Sequence, residues 1–235
     1  MSEPARRFYK SATTTERDGR FAVALDERPL KTAKGAALHA PTRALADAVA
    51  AEWNAQTDRI EPATMPITQL AFAAIDWTAP SRAERAAYVA SFGATDLCCH
   101  RANSPRELVA RQAQAWDPLV AWGRDALAVA LPVVEGIVAA DIAPEALSAL
   151  KAQAEALDDF SLTALSQAAG LSGSALIAFA LVSGRLSGAE GYRVATLDDE
   201  FSLERWGEDA EGRARLDRVR AEFDALGRFV AALRA

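Results

Sequence analysis

The period of the apolar positions changes once along the chain, and that change divides it. Phe21, Val23 and Leu25 alternate with small residues, the two-residue period of a strand with one buried face. Residues 7–15 are rich in aromatic and β-branched types, and Asp18-Gly19 between the two stretches marks a turn, so a hairpin is expected. A second turn over residues 26–29 leads into Leu30-Lys31-Thr32, and residues 37–39 add a further short strand.

From Pro41 the period is helical. Leu45, Val49 and Trp53 recur at steps of four, which predicts a helix from near Thr42 to about Gln56. Pro62 and Pro66 then bias the chain toward an extended segment, after which Ile67, Leu70, Ala71, Ala74 and Ile75 form a second apolar face. Ser81-Arg82-Ala83-Glu84 has the form of a capping box, with Tyr88 and Phe92 stacked on the helix behind it, and Ser104-Pro105-Arg106-Glu107 repeats that form. Asp117-Pro118 is expected to end the second of these helices at Trp116 and begin another, leaving Trp116 and Trp122 at a tight joint. Residues 133–138 read as extended, either a short strand or a connector that docks on the N-terminal sheet. Helices follow over 144–157, 160–169, 172–183, 189–206 and 208–233, with Gly170, Gly184 and Gly207 as C-terminal caps. The pattern is an α+β fold. A small N-terminal β-rich domain with an antiparallel sheet (1–40) precedes a larger orthogonal helical bundle domain (41–235).

Composition narrows the function. The net charge is −6, with acidic and basic residues mixed along the chain, whereas a nucleic-acid surface needs a basic excess. The most apolar run, residues 175–182, is less than half of the roughly 20 residues a membrane span requires. The first residues lack the apolar run of a secretory signal. Two adjacent cysteines, Cys98 and Cys99, suit a reducing compartment. A bacterial cytoplasmic protein is expected.

Motifs for chemistry are sparse. Gly170-Leu171-Ser172-Gly173-Ser174 lacks the lysine of a phosphate loop and the flanking glycines of a nucleophile elbow. Cys98, Cys99 and His100 are consecutive, so they need a fourth ligand from elsewhere to enclose a tetrahedral ion; a buried structural role suits the cysteines better, and no metal or cofactor is expected. Asp158-Asp159 and Asp198-Asp199-Glu200 are read as lying near helix boundaries, where the helix dipole stabilises acids in a first turn, and Asp158-Asp159 is read as a cap. Glu208, Asp209 and Glu211 directly follow Trp206-Gly207. An aromatic beside exposed carboxylates suits a surface that meets an arginine-bearing partner, and on residue types alone a plain solvated face fits it at least as well.

Certain segments occur in a fixed order: Arg7-Phe8-Tyr9-Lys10, Glu52-Trp53-Asn54-Ala55-Gln56, Ala74-Ile75-Asp76, Asp96-Leu97-Cys98, Arg111-Gln112, Trp116-Asp117-Pro118-Leu119 and Trp206-Gly207-Glu208-Asp209-Ala210-Glu211. Together they resemble the assembly chaperone of the F-type ATP synthase that acts on the α subunit of its catalytic sector. The resemblance implies a non-catalytic protein that transiently binds the newly made α subunit, shields the surface that later meets β, and releases it as the ring assembles. It implies a monomer when free, with no nucleic acid, no direct membrane insertion and no cofactor. Trp206, Glu208, Asp209 and Glu211 are then the expected partner-binding residues. Trp53, Gln56, Trp116, Asp117 and Pro118 belong to structural motifs, with Trp53 on the apolar face beside Leu45 and Val49. His100, Phe201, Asn54 and Gly212 depart from the family pattern; glycine inside a helix costs about 1 kcal/mol relative to alanine. Two competing functions are a helical scaffold for another complex and a small-molecule enzyme using the carboxylates of 198–211.

Overall fold

The computed structural model describes residues 5–17, 19–136, 140–207 and 209–235. Strands β1 (Ala12–Arg17) and β2 (Arg20–Leu25) form the expected antiparallel hairpin, with Ala12 opposite Leu25 and Arg17 opposite Arg20. Asp18 of its turn lies outside the described residues. β2 is central, because β3 (Arg28–Pro29) and β4 (His39–Ala40) pair antiparallel with its two ends. Helix α1 (Arg43–Asn54) packs on β1 and β2. It buries Leu45, Val49 and Trp53 with Val23 and Leu25, and Thr42 caps it by accepting from the Leu45 amide at 3.2 Å.

The C-terminal end of α1 is stitched on several sides. The Glu52 carboxylate accepts from the Ile67 and Thr68 amides at 2.9 and 2.7 Å, which caps helix α2 (Pro66–Ala73) from another element. Asn54 accepts from the Ala12 amide and donates to the Ala12 carbonyl, both at 2.8 Å. That pairing needs a donor and an acceptor on one side chain, so the amide found here fits where a carboxylate would supply acceptors only. Gln56 donates to the Glu52 carbonyl and to Thr64 Oγ1, both at 3.1 Å, and accepts from the Glu61 amide at 2.8 Å. It holds the Pro62–Thr64 turn, helical where an extended segment was expected. Trp53 is core: its ring packs 5.5 Å from that of Tyr9, whose hydroxyl donates to the Trp53 carbonyl at 2.7 Å.

A π-helical turn (Ala74–Thr78) continues α2 toward α3 (Arg82–Ser91), on which Tyr88 and Phe92 meet edge-on at 5.0 Å. The capping box expected at Ser81 does not form, because its hydroxyl donates back to the Trp77 carbonyl.

A buried polar joint follows. Asp96 accepts from the Cys98 amide at 3.0 Å, the Ser174 hydroxyl at 2.6 Å and the Leu176 amide at 3.1 Å, although only 1% exposed. It thereby reaches across the fold to the start of α7 (Ala175–Val182), which Ser174 caps. Strand β5 (His100–Arg101) pairs in parallel with β6 (Val134–Glu135). Of the two readings for 133–138 the short strand is the one found, over Val134–Glu135, and its partner is β5 rather than the N-terminal sheet; residues 137 and 138 lie outside the described residues.

Helix α4 (Arg106–Ala126) corrects the largest expectation, because it runs through Asp117-Pro118 without a break. Gln112, Trp116, Leu119 and Gly123 are buried at steps of four, three and four, so one apolar stripe continues past the proline. Burying that stripe outweighs the roughly 3 kcal/mol cost of an interior proline. Asp117 is no cap; it pairs with Arg101 at 2.9 Å. Ser104 provides no side-chain cap either, and Pro105 precedes the first helical residue.

Helices α5 (Pro144–Glu155) and α6 (Asp159–Ser172) pack against α3. Asp158 caps α6 by accepting from the Phe160 and Ser161 amides, as expected. Gly170 is inside α6 rather than capping it: a Cβ there would lie 2.8 Å from the Tyr88 hydroxyl, and Gly173, at φ 67°, ends the helix. The single helix expected over 189–206 is two, α8 (Gly188–Ala195) and α9 (Leu197–Trp206), broken at Thr196. Helix α10 (Ala210–Arg234) closes the bundle, burying Phe223 and Phe229. One contiguous core runs from Val23 and Leu25 of the sheet through Trp116, Leu150, Leu165 and Ile177 to Phe229.

Candidate functional site

The corner between α9 and α10 is built by a helix stop and a helix start. Gly207, at φ 97°, ends α9 in a conformation that disfavours a side chain. Asp209 begins α10 by accepting from the Gly212 amide at 2.6 Å. Gly212 has a local reason: a Cβ there would lie 2.8 Å from the Asp209 carboxylate. Trp206 projects from the end of α9 and is 81% exposed, the highest value among the large hydrophobic residues described. Glu211 occupies the first turn of α10, where the helix dipole favours it, and no described residue forms an ion pair with it. Glu208 lies outside the described residues.

The other acids of this region are engaged. Asp199 pairs with Arg215 at 2.6 Å, and Glu200 pairs with Arg213 at 3.1 Å and accepts from the Tyr192 hydroxyl. Burial alone would lift the Glu200 carboxyl, but hydrogen bonds from Tyr192 and Arg213 and the charges of Arg213 and Arg220 bring it below the ordinary value. Asp198 moves the other way: desolvation raises it, Gln112 opposes the shift, and the neighbouring Asp199 charge adds to it. Glu204 pairs with Arg111 of α4 at 2.7 Å. Asp198, Asp199 and Glu200 do stand in the first turn of α9, and each also has a named side-chain partner.

Of the expected site residues, Trp206 stands at the end of α9, Asp209 caps α10 and Glu211 lies in its first turn, on the two sides of one corner. Trp53, Gln56, Trp116 and Pro118 lie in the scaffold, and Asp117 at its surface pairs with Arg101. Arg111 and Gln112, quoted only for the resemblance, contact α9 directly; partners 86 and 93 residues away leave no spacing signal.

Cys98 and Cys99 are buried. Desolvation and the nearby Asp96 charge push the Cys99 thiol up to about 12 and raise Cys98 further from its usual range, which disfavours the thiolate needed for metal binding or nucleophilic attack. Among the described residues no three His, Cys, Asp or Glu side chains gather as metal ligands. A cleft of about 500 Å³ between α7, α8 and α10 is lined by Leu181, Gly188, Asp224, Arg228 and Arg234 among others, and by none of the carboxylates of 198–211. Among the described residues no helix is long and apolar enough to cross a membrane.

Residues 6–124 match the family described as ATP12 chaperone protein. The chain belongs to the ATP12 chaperone family. These are the ATP synthase assembly chaperones that the ordered segments resemble. The chain is 38% identical to Atp12 from Paracoccus denitrificans, whose crystal structure superposes with a TM-score of 0.92 over 98% of this chain and 99% of that one. The Atu1473 protein of Agrobacterium tumefaciens superposes at 0.88 with 35% identity, over 97% of this chain and 86% of its own. Protein atp12, mitochondrial, of Schizosaccharomyces pombe is 25% identical over 219 residues, covering 87% of this chain and 75% of that protein. The α+β architecture is thus that of solved ATP12 structures.

Proposed function

We propose that this ATP12-family chain is a non-catalytic chaperone that transiently binds the newly made α subunit of the F-type ATP synthase and shields its β-contacting surface until assembly. The observation that carries the reading is Trp206, 81% exposed beside the acidic start of α10. An exposed tryptophan is an expensive feature on a free surface and the commonest kind of interface anchor. Asp209 and Glu211 beside it offer acceptors for basic client groups, and Glu208 adjoins them in sequence. The chain works as a monomer in a bacterial cytoplasm on this reading, and β displaces it by competing for the covered surface. The residues of 1–40 and 41–235 form its two domains.

Co-expression with the α subunit of the same organism, followed by size-exclusion chromatography, tests this. A one-to-one complex that keeps α soluble and dissociates when β is added is the expected result. Equal aggregation of α with and without the chaperone, both being well made, would sink the reading and favour a scaffold for another complex.

A further inference from the structure

Helix α9 carries Trp206, yet its only fully buried side chain is Phe201. Apolar burial fixes most of the other helices; α6 buries Phe160, Leu162 and Leu165 among others. Helix α9 is fixed instead by polar links to two neighbours. Toward α10 it offers Asp199 and Glu200, which meet Arg215 and Arg213. Toward α4 it offers one group near each end: Asp198 in its first turn and Glu204 in its last.

Two adjacent α4 residues receive them. Gln112 is 1% exposed; its Nε2 donates to Asp198 Oδ1 and its Oε1 accepts from the Ala102 amide, each at 2.8 Å. Both ends of the amide are used, so its rotamer and polarity are set. Arg111 donates to Glu204 at 2.7 Å and to Glu107 at 2.8 Å, while its guanidinium lies 5.2 Å from the Phe201 ring centre. One α4 step therefore holds the start, the middle and the end of α9.

We propose that Arg111 and Gln112 are positioning residues for client binding. They touch no client themselves; they set the angle of α9, and so present Trp206 at one corner with the acids of α10. Without them α9 keeps its helix but loses its fixed orientation, and ordering it again on binding lowers affinity. The proposal rests on the client reading above and adds which residues make that surface rigid.

Exchanging the amide and the carboxylate tests it. Gln112→Glu keeps an acceptor for the Ala102 amide but sets a second carboxylate against Asp198. Adding Asp198→Asn restores a donor on the opposite side, with the link reversed. We expect Gln112→Glu to weaken capture of the purified α subunit by about 10-fold and to speed hydrogen exchange across residues 197–206 by about as much, with α6 and α7 unchanged. The double variant restores both. If exchange recovers while binding does not, or if α9 loosens and binding is unaffected, the proposal is overturned.

Should Gln112→Glu fold poorly, Arg111→Ala and Glu204→Ala provide a second arm, both sites being part-exposed. Action through one another makes the double variant no weaker in binding than the worse single one; losses that multiply would mean independent client contacts and overturn the positioning role. A wild-type chain that captures no α is a separate result: it removes the client reading, and this proposal falls with it, whatever the exchange shows.

Discussion

The joint around Asp96 and the corner around Trp206 are made of the same materials, and they differ in what surrounds them. Each places a carboxylate at a helix start and has an arginine and a tryptophan in its neighbourhood. At the joint Asp96 is enclosed and accepts three hydrogen bonds. Arg101 reaches the Cys98 carbonyl at 2.7 Å, and its guanidinium sits 5.4 Å over Trp116, itself fully buried with its indole donating to the Val194 carbonyl. At the corner Asp209 caps α10 in solvent and Trp206 has no cover. Burial makes a polar group's partners obligatory; exposure leaves it available to a partner. On the proposed function one region holds the chain together and the other meets the client, and Gln112 joins them by binding Ala102 on one side and Asp198 on the other.

If that division holds, substitutions at the joint cost stability and those at the corner cost binding. The largest loss is expected from Trp116→Ala, about 4 kcal/mol, from the cavity and the stranded Val194 carbonyl. Chemical denaturation or soluble yield reads it; a loss below about 1 kcal/mol would contradict full burial. Asp96→Ala should cost about 3 kcal/mol, because the Ser174 hydroxyl and two amides lose their acceptor in a dry site. At the corner, Asp209→Ala removes only an exposed cap, costing about 1 kcal/mol, while client capture drops by more than that stability change explains.

Acid and base separate the two regions in sign. Burial raises Asp96 despite its hydrogen bonds from Ser174, Leu176 and Cys98, so the folded state holds that proton more tightly than the unfolded one. Its contribution is complete below the ordinary carboxylate range and is lost as pH rises through the raised value. Glu200 is lowered overall; its contribution is present above the ordinary value and is lost as pH falls through the lowered one. Subtracting the stability of Asp96→Asn from wild type should therefore give a difference that falls with rising pH, and subtracting Glu200→Gln one that rises. Two slopes of the same sign would show that the sites are not electrostatically distinct.

What could be seen in the sequence follows from how local each cause is. The hairpin, the start of α1 near Thr42, the Asp158 cap, and the apolar faces of α1 and α2 depend on neighbours within a turn or two, and they formed as read. The Asp117-Pro118 break was a local rule overruled by a longer pattern, the buried stripe from Gln112 to Gly123 that continues past the proline. Partners separated by 78 residues, as Asp96 and Ser174 are, leave no spacing signal, and neither does the parallel pairing of His100-Arg101 with residues 134 and 135. The proposed client residues Trp206, Asp209 and Glu211 lie within six positions, so their grouping was visible in the sequence. The link from α4 to α9 was not, since Arg111 meets Glu204 from 93 residues away.

The smallest stability effect belongs to Glu211→Lys, and it is the sharpest test of the division. Glu211 is exposed and has no ion-pair partner among the described residues, so nothing in the fold depends on its side chain beyond the dipole of α10. Reversing a charge in a first turn costs about 0.5 kcal/mol, or a shift of about 1–2 °C in the melting midpoint of a chain this size. A client contact through the same carboxylate, by contrast, turns from attraction to repulsion, which should weaken capture of the α subunit by about 10-fold or more. Differential scanning fluorimetry beside the capture assay gives both values on one preparation. A variant that melts many degrees early would make Glu211 part of the scaffold. One that melts normally and captures α normally would move the client surface away from this corner, toward other exposed aromatics such as Trp77 or Phe8.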